Sequence, residues 1–195
     1  MVNTAASDGP GLGPMEFFLL ALIGRRKLTS LYSLRTQAAL EAGAIRPALT
    51  RLERNEMITR EDPGRRRRRA LALTERGKSL LENSWPNCLR EEIDAEAVLR
   101  AGMVAWLMDG PAAAADYLRR IAGVRGQKAQ KMMNEAVHLE RSQTEPLSSY
   151  AWMRASYEAH RRRAESEAFL SMSRSIEESF TSNGSKATQS TVTFQ

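Results

Sequence analysis

Five consecutive arginines, followed at once by an alternating apolar stretch, constrain the fold more than any other feature of this sequence. A turn sequence, Asp62-Pro63-Gly64, precedes them, and the strand-like stretch at residues 70–73 follows. Another short strand-like run lies before the turn, at residues 57–61. Together these segments predict a β-hairpin whose returning strand begins with five positive charges, on Arg65, Arg66, Arg67, Arg68 and Arg69. A folded domain that concentrates like charge in this way needs a polyanionic partner, and nucleic-acid phosphate is the leading one.

The net charge of the chain is +6, and the positive charge is concentrated in one segment. Residues 25–78 contain 15 of the 29 Lys and Arg residues but 6 of the 23 Asp and Glu residues, which gives this segment a net charge of +9. The remaining 14 cations and 17 anions leave the rest of the chain at −3. This asymmetry indicates a nucleic-acid-binding module attached to a body with another task.

Cysteine content and apolar runs indicate the compartment. Cys88 is the single cysteine, and a lone thiol fits a reducing cytoplasm, where its ordinary role is that of a small buried side chain rather than a redox sensor. The N-terminus lacks the charged-then-apolar order of a signal peptide. The apolar run at residues 17–23 is much too short to span a bilayer. We therefore expect a cytoplasmic protein with no membrane partner.

Turn and composition signals divide the chain into four expected regions: a disordered N-terminus at 1–14, a basic domain at 15–85, a helical domain at 86–181 and a disordered tail at 182–195. In the helical domain, periodicity predicts helices at 93–108, 112–121, 127–142 and 147–180. Gly123 and Gly126 are expected to separate the second of these helices from the third.

The basic domain is expected to contain three helices before the hairpin and one after it. The first covers residues 15–23, and the second begins at a Thr29 or Ser30 cap and ends near residue 40. A break at Gly43 precedes the third helix, which has Pro47 near its start and ends near residue 55. The fourth helix begins at a Thr74 cap.

The order helix, helix, helix, strand, basic turn, strand is that of a winged helix-turn-helix, so residues 15–85 are interpreted as a DNA-binding domain. Its third helix must pack one face inward and present the other to the major groove. Ile45, Leu49 and Leu52 are the expected inward residues. The predicted DNA-contacting residues on the two helices are Ser33, Arg35, Thr36, Arg46, Thr50, Arg51 and Arg54, with the five hairpin arginines beside them.

Individual arginines in this set have open alternatives. Arg46 can reach a guanine edge or a phosphate, and Thr50 can contact a base edge or a thymine methyl. Arg51 and Arg54 can instead pair with Glu53 or Glu56, or remain in water. Because alternate residues of a strand point to opposite faces, only part of the five-arginine run can face DNA.

Residues 16–81 resemble the N-terminal winged-helix domain of PadR-type transcriptional regulators. The resemblance rests on the opening apolar helix at 17–22, the stretch from Gly43 to Glu53 with its Pro-Ala-Leu-Thr-Arg-Leu-Glu core, Met57-Ile58, the basic hairpin, and Leu73-Thr74-Glu75-Arg76-Gly77. It implies a transcriptional regulator, usually a repressor, whose C-terminal helices form a homodimer. The chain departs from the family pattern at Glu41, Ala44 and Arg46, so the operator sequence is not transferable.

The last predicted helix carries an apolar stripe that cannot be buried against the helix itself. The residues expected at a dimer interface are Tyr150, Met153, Tyr157, Ala164, Ala168, Met172 and Ile176. A two-fold dimer would place two recognition helices roughly 34 Å apart, as a near-palindromic operator requires. Aromatic residues such as Trp106 and Trp152 belong either to the core or to a pocket for a small-molecule effector.

The sequence therefore predicts a mainly α fold with a small β-hairpin wing: an N-terminal winged helix-turn-helix plus a C-terminal all-helical dimerisation domain. The predicted function is a DNA-binding transcriptional regulator with double-stranded DNA and a second copy of itself as partners. The two histidines, His138 and His160, lie far apart without other ligands, so no metal, cofactor or enzyme activity is expected. The alternative is an adaptor whose arginines bind an acidic protein.

Overall fold

The structure, a computed structural model, describes residues 12–61, 70–89, 94–141 and 146–189. Within these ranges the chain is mainly helical and has one two-stranded antiparallel sheet, as the sequence predicts. The chain divides into two compact units, Met1–Met108 and Asp109–Gln195. None of the described helices is both long and apolar enough to cross a membrane.

Helix α1, Pro14–Arg26, is the central element of the first unit. It starts with a proline at its first position, where the missing N–H costs little, and the Glu16 carboxylate accepts a hydrogen bond from the Gly13 N–H (3.1 Å). Every residue from Phe17 to Ile23 is buried, so the helix is apolar on all sides and other elements surround it. Lys27 ends the helix in the left-handed conformation (φ 56°).

Helices α2, Leu31–Gln37, and α3, Ala42–Arg54, follow. The predicted Ser30 cap is confirmed, since its hydroxyl accepts the Ser33 N–H at 3.0 Å. The expected break at Gly43 is wrong, because Gly43 lies in the first turn of α3, and the chain instead turns at Ala39 (φ 50°). As a result Pro47 is the sixth residue of α3 rather than an opening residue, and it removes the hydrogen bond that the Gly43 carbonyl would accept.

The end of α3 leads directly into the sheet. The Met57 N–H donates to the Leu52 carbonyl (2.9 Å) and the Glu56 N–H to the Glu53 carbonyl (2.9 Å), while Glu56 is left-handed (φ 58°). This is the Schellman arrangement, formed here without glycine. Strand β1, Ile58–Glu61, then pairs with β2, Ala70–Leu73, in a register that sets Ile58 opposite Leu73 and Glu61 opposite Ala70.

Helix α4, Glu75–Ser84, is fixed to the start of the hairpin by two residues. The Thr74 hydroxyl caps the helix by accepting the Gly77 N–H (3.0 Å), which confirms the predicted cap, and it donates to the Glu56 carbonyl (2.7 Å). A Cβ on Gly77 would lie 2.0 Å from the Met57 carbonyl oxygen, so only glycine permits this approach. A short 3-10 helix, Trp85–Cys88, follows, and Cys88 is buried as expected.

Helix α5, Ala95–Asp109, ends at Gly110, whose positive φ of 93° turns the chain. The buried residues Val98, Ala101, Val104 and Ala105 line its inward side. By compactness α5 falls in the first unit, so the division at Met108 lies well beyond the predicted domain boundary at residues 85–86.

The second unit consists of two long helices, α6, Pro111–Arg141, and α7, Pro146–Gln189. The predicted separation of two helices at Gly123 and Gly126 is wrong, because α6 continues through both. Each glycine costs about 1 kcal/mol in a helix interior, which packing along the whole length of α6 offsets. Gly126 also permits close approach, since a Cβ there would lie 3.2 Å from the Ser166 hydroxyl. Helix α7 extends to Gln189, past the expected start of the tail at residue 182.

Helices α6 and α7 run antiparallel, and their contacts repeat every seven residues. The Ser173 hydroxyl donates to the Ala115 carbonyl (2.9 Å), and the Ser166 hydroxyl donates to the Ala122 carbonyl (2.7 Å). Arg125, which is 4% exposed, forms an ion pair with Glu165 and lies over the Phe169 ring. Buried or half-buried residues on α7 alternate three- and four-residue steps, as in a coiled coil: Trp152, Ala155, Ala159, Arg162, Ser166, Phe169, Ser173 and Ile176.

Candidate functional site

The outer face of α3 is the most cationic helix surface next to the sheet. Ile45, Ala48, Leu49 and Leu52 are fully or almost fully buried, which confirms the three inward residues that the sequence predicts. Because these positions recur at three- and four-residue steps, the remaining positions form a polar face. The exposed residues of that face include Arg46, Thr50, Arg51 and Arg54.

Arg46 and Arg54 have free guanidinium groups at opposite ends of this face. Neither side chain forms an ion pair or side-chain hydrogen bond with any residue that the structure describes. Thr50 lies between them, and its hydroxyl donates to the Arg46 carbonyl (3.0 Å). Its hydroxyl proton is therefore already used, and Thr50 presents to solvent its methyl group and an oxygen that can still accept a hydrogen bond.

Arg51 lies on the same helix but is bound to α1. Its Nε donates to Glu16 Oε1 (2.7 Å), and its Nη2 donates to the same oxygen. The Glu16 side chain is 7% exposed, whereas that of Arg51 is 57% exposed. The partner is thus neither Glu53 nor Glu56, the two acids considered from the sequence, but an acid 35 positions away. Arg51 consequently fastens α3 to the start of α1.

The predicted contact residues on α2 differ in how free they are. The Ser33 hydroxyl is occupied by the helix cap, since it donates to the Ser30 carbonyl (2.9 Å) and accepts the Ser30 N–H (3.2 Å). The Thr36 hydroxyl donates to the Tyr32 carbonyl (2.9 Å). Arg35 is exposed and has no ion pair among the described residues. Tyr32, which the predicted site omits, is 68% exposed and lies in the same short helix.

A depression of about 410 Å³ separates α3 from the sheet. Three leucines, Leu31, Leu49 and Leu71, supply apolar lining, and polar side chains of α3 and β1 supply the rest. Strand β2 is held in place beside it because the Leu71 N–H donates to the Thr29 carbonyl (2.7 Å) in the α1–α2 connection. The polar residues that line the depression are Arg46, Thr50 and Arg60.

Arg60 is a cation of this site that the predicted set omits. It lies on β1 opposite Leu71, and its Nε donates to the Glu53 carboxylate of α3. A sequence signal existed, since an exposed arginine in a strand next to a basic turn belongs to the same charged surface. The structure adds that this arginine lines the same depression as Arg46.

The five arginines at residues 65–69 lie outside the described residues, as does the turn at 62–64. Their expected placement on the returning strand is therefore still a prediction. The paired residues Glu61 and Ala70 mark the two points between which this stretch of sequence runs.

The apolar stripe predicted for dimerisation lies mostly on the surface of α7. Tyr150, Met153 and Tyr157 are 62%, 52% and 65% exposed, and Met172 is 41% exposed. Ala164 and Ala168 are exposed as well. Ile176 differs, since it is half-buried and continues the seven-residue pattern that faces α6.

No group of three or more potential metal-ligating residues occurs in the part of the chain that the structure describes. Cys88 is buried, and burial raises the pKa of its thiol to about 12. Comparisons with models of protein families, with curated proteins and with solved structures find no match to this chain.

Proposed function

We propose that this chain is a sequence-specific transcriptional regulator, a repressor by its resemblance to PadR-type regulators, that binds a near-palindromic operator in the cytoplasm as a homodimer. The observation that carries the proposal is the free polar face of α3, with unpaired Arg46 and Arg54 around Thr50, beside a hairpin whose sequence contains five consecutive arginines. In this proposal α2, α3 and the hairpin act as a winged helix-turn-helix.

The division of roles follows from what each group can reach. Arg46 lies in the N-terminal half of α3, which enters the major groove first in helix-turn-helix proteins, and can bind guanine O6 and N7 with its two-pronged donor group. Thr50, one turn later, offers a methyl group that suits the methyl of thymine. Arg54 in the last turn and the hairpin arginines supply phosphate contacts, which add affinity without selecting sequence.

The second unit supports the dimer. A single chain leaves the large side chains of Tyr150, Met153 and Tyr157 more than half exposed at three- and four-residue spacing on α7. Burying one such side chain contributes about 1.5–3 kcal/mol, so a two-fold contact that covers this stripe twice is strongly favourable. Replacing Tyr157 by Glu should therefore yield monomers in analytical ultracentrifugation, with α-helical content unchanged.

Selection of bound sequences from random double-stranded DNA tests the proposal. We expect a near-palindromic motif whose half-sites are one helical turn apart, in line with two recognition helices roughly 34 Å apart. Enrichment of no motif, together with binding to acidic proteins that DNA does not compete for, would favour the adaptor alternative instead. A motif without two-fold symmetry would contradict the dimer but not DNA recognition.

A further inference from the structure

Arg60 lies on a different element from the α3 cations but beside the same surface. It is the third residue of β1, pairs with Leu71 across the hairpin, and lines the depression that Arg46 and Thr50 also line. A polyanion that contacts the free face of α3 therefore comes within reach of the Arg60 side chain, which is 47% exposed.

The Arg60 guanidinium is already oriented by an acid. Its Nε donates to Glu53 Oε1, on the next-to-last residue of α3. That single bond leaves the two terminal amino groups of the guanidinium with their N–H donors available, and the described residues provide no further partner for them. A planar, oriented guanidinium with two adjacent free amino groups matches the geometry of a phosphate.

Glu53 is otherwise an unfavourable residue at this place. A carboxylate on a surface that approaches DNA is repelled by phosphate, and its side chain is 30% exposed, so the repulsion is only partly screened. Orientation of Arg60 is the contribution that offsets this cost. We propose that Arg60 contacts a DNA phosphate and that Glu53 is the positioning residue for that contact. This inference rests on the proposed function.

The experiment measures DNA affinity against salt concentration for the full chain and its variants on one operator or on generic duplex DNA. We expect Arg60→Ala to reduce the salt slope by about 0.9 and to weaken binding about tenfold at fixed salt. Glu53→Gln keeps an acceptor for Arg60 Nε and should bind within about twofold of the wild type. Glu53→Ala should weaken binding about threefold, although it removes a negative charge, because Arg60 is then no longer oriented.

Arg76→Ala is the matched control, because Arg76 is also an exposed arginine in an ion pair, with Glu56 at 3.6 Å, but on α4. Its salt slope should equal that of the wild type. Urea unfolding of each variant separates binding from folding, since an exposed pair contributes only about 0–1 kcal/mol.

Two results would overturn the inference while leaving DNA binding intact. An unchanged salt slope in Arg60→Ala would make the pair a simple link between α3 and β1. Tighter binding by Glu53→Ala would show that charge repulsion outweighs positioning. If the wild type itself has no salt-dependent affinity for DNA, the proposed function fails, and this inference fails with it.

Discussion

The ion pair between Arg51 and Glu16 allows structural and DNA-contacting arginines of α3 to be separated by experiment. Glu16 is buried, and its carboxylate accepts three donors, two from Arg51 and one from the Gly13 N–H. Replacing Arg51 by Ala leaves this buried carboxylate with one donor. Breaking a fully buried pair costs about 3–5 kcal/mol, but Arg51 is 57% exposed, so water compensates in part and we expect about 1–2 kcal/mol.

Urea unfolding of Arg51→Ala, of Glu16→Ala and of the double variant measures this magnitude as a coupling free energy. We expect a coupling of about 1 kcal/mol and, in parallel, an unchanged salt slope for DNA binding by Arg51→Ala. Arg54→Ala is the opposite control: it should leave the free energy of unfolding unchanged and reduce the salt slope by about 0.9. A reduced salt slope in Arg51→Ala with unchanged stability would refute the assignment of Arg51 to the fold.

Four further outcomes are expected. Replacing residues 65–69 by Ala should weaken binding to all DNA sequences and flatten the salt dependence by about 0.9 for each phosphate that the variant no longer neutralises, and an unchanged slope would exclude a role of these arginines in binding. Replacing Arg46 by Ala should change the selected motif, whereas equal weakening on every sequence would make Arg46 a backbone contact. Gly77→Ala should destabilise the first unit by more than about 3 kcal/mol in urea unfolding, because its Cβ would lie 2.0 Å from the Met57 carbonyl oxygen, and a smaller effect would show that α4 shifts easily. Burial raises the pKa of Cys88 to about 12, so the unfolded state ionises first as pH rises, stability falls between the ordinary thiol pKa and about 12, and a thiol reagent at pH 8 should react only after unfolding.

Local signals in the sequence predicted much of the first unit. Ser30 and Thr74 cap helices as expected, because a hydroxyl that accepts a backbone N–H acts within three residues of chain. The alternation at residues 70–73 identified β2, and the spacing of Ile45, Leu49 and Leu52 identified the buried face of α3. The Leu-Thr-x-x-Gly motif gains a physical reason, since Thr74 and Gly77 together fasten α4 to Met57.

Glycine and proline misled the prediction where tertiary packing decides. Gly43 lies inside the first turn of α3, and Gly123 and Gly126 lie inside α6, because packing energy exceeds a propensity penalty of about 1 kcal/mol. A penalty of that size is visible in the sequence, but the compensating contacts lie on other elements. Pro47 is tolerated inside α3 at an exposed position.

Long-range pairs could not be read from the sequence at all. Arg51 binds Glu16 across 35 positions, although Glu53 and Glu56 are nearer in the chain. Helix α7 carries two apolar stripes at three- and four-residue steps, and periodicity alone does not tell which one faces α6. The stripe with Ala155, Ala159 and Phe169 is buried, whereas the one with Tyr150 and Tyr157 is exposed.

The most direct measurement is the salt dependence of wild-type affinity for double-stranded DNA. Two protomers that each contribute Arg54, Arg60 and part of residues 65–69 make at least four phosphate contacts. The expected slope of log affinity against log salt concentration is therefore about −4 or steeper. A slope shallower than about −1, or no binding at low salt, would contradict DNA recognition by this chain.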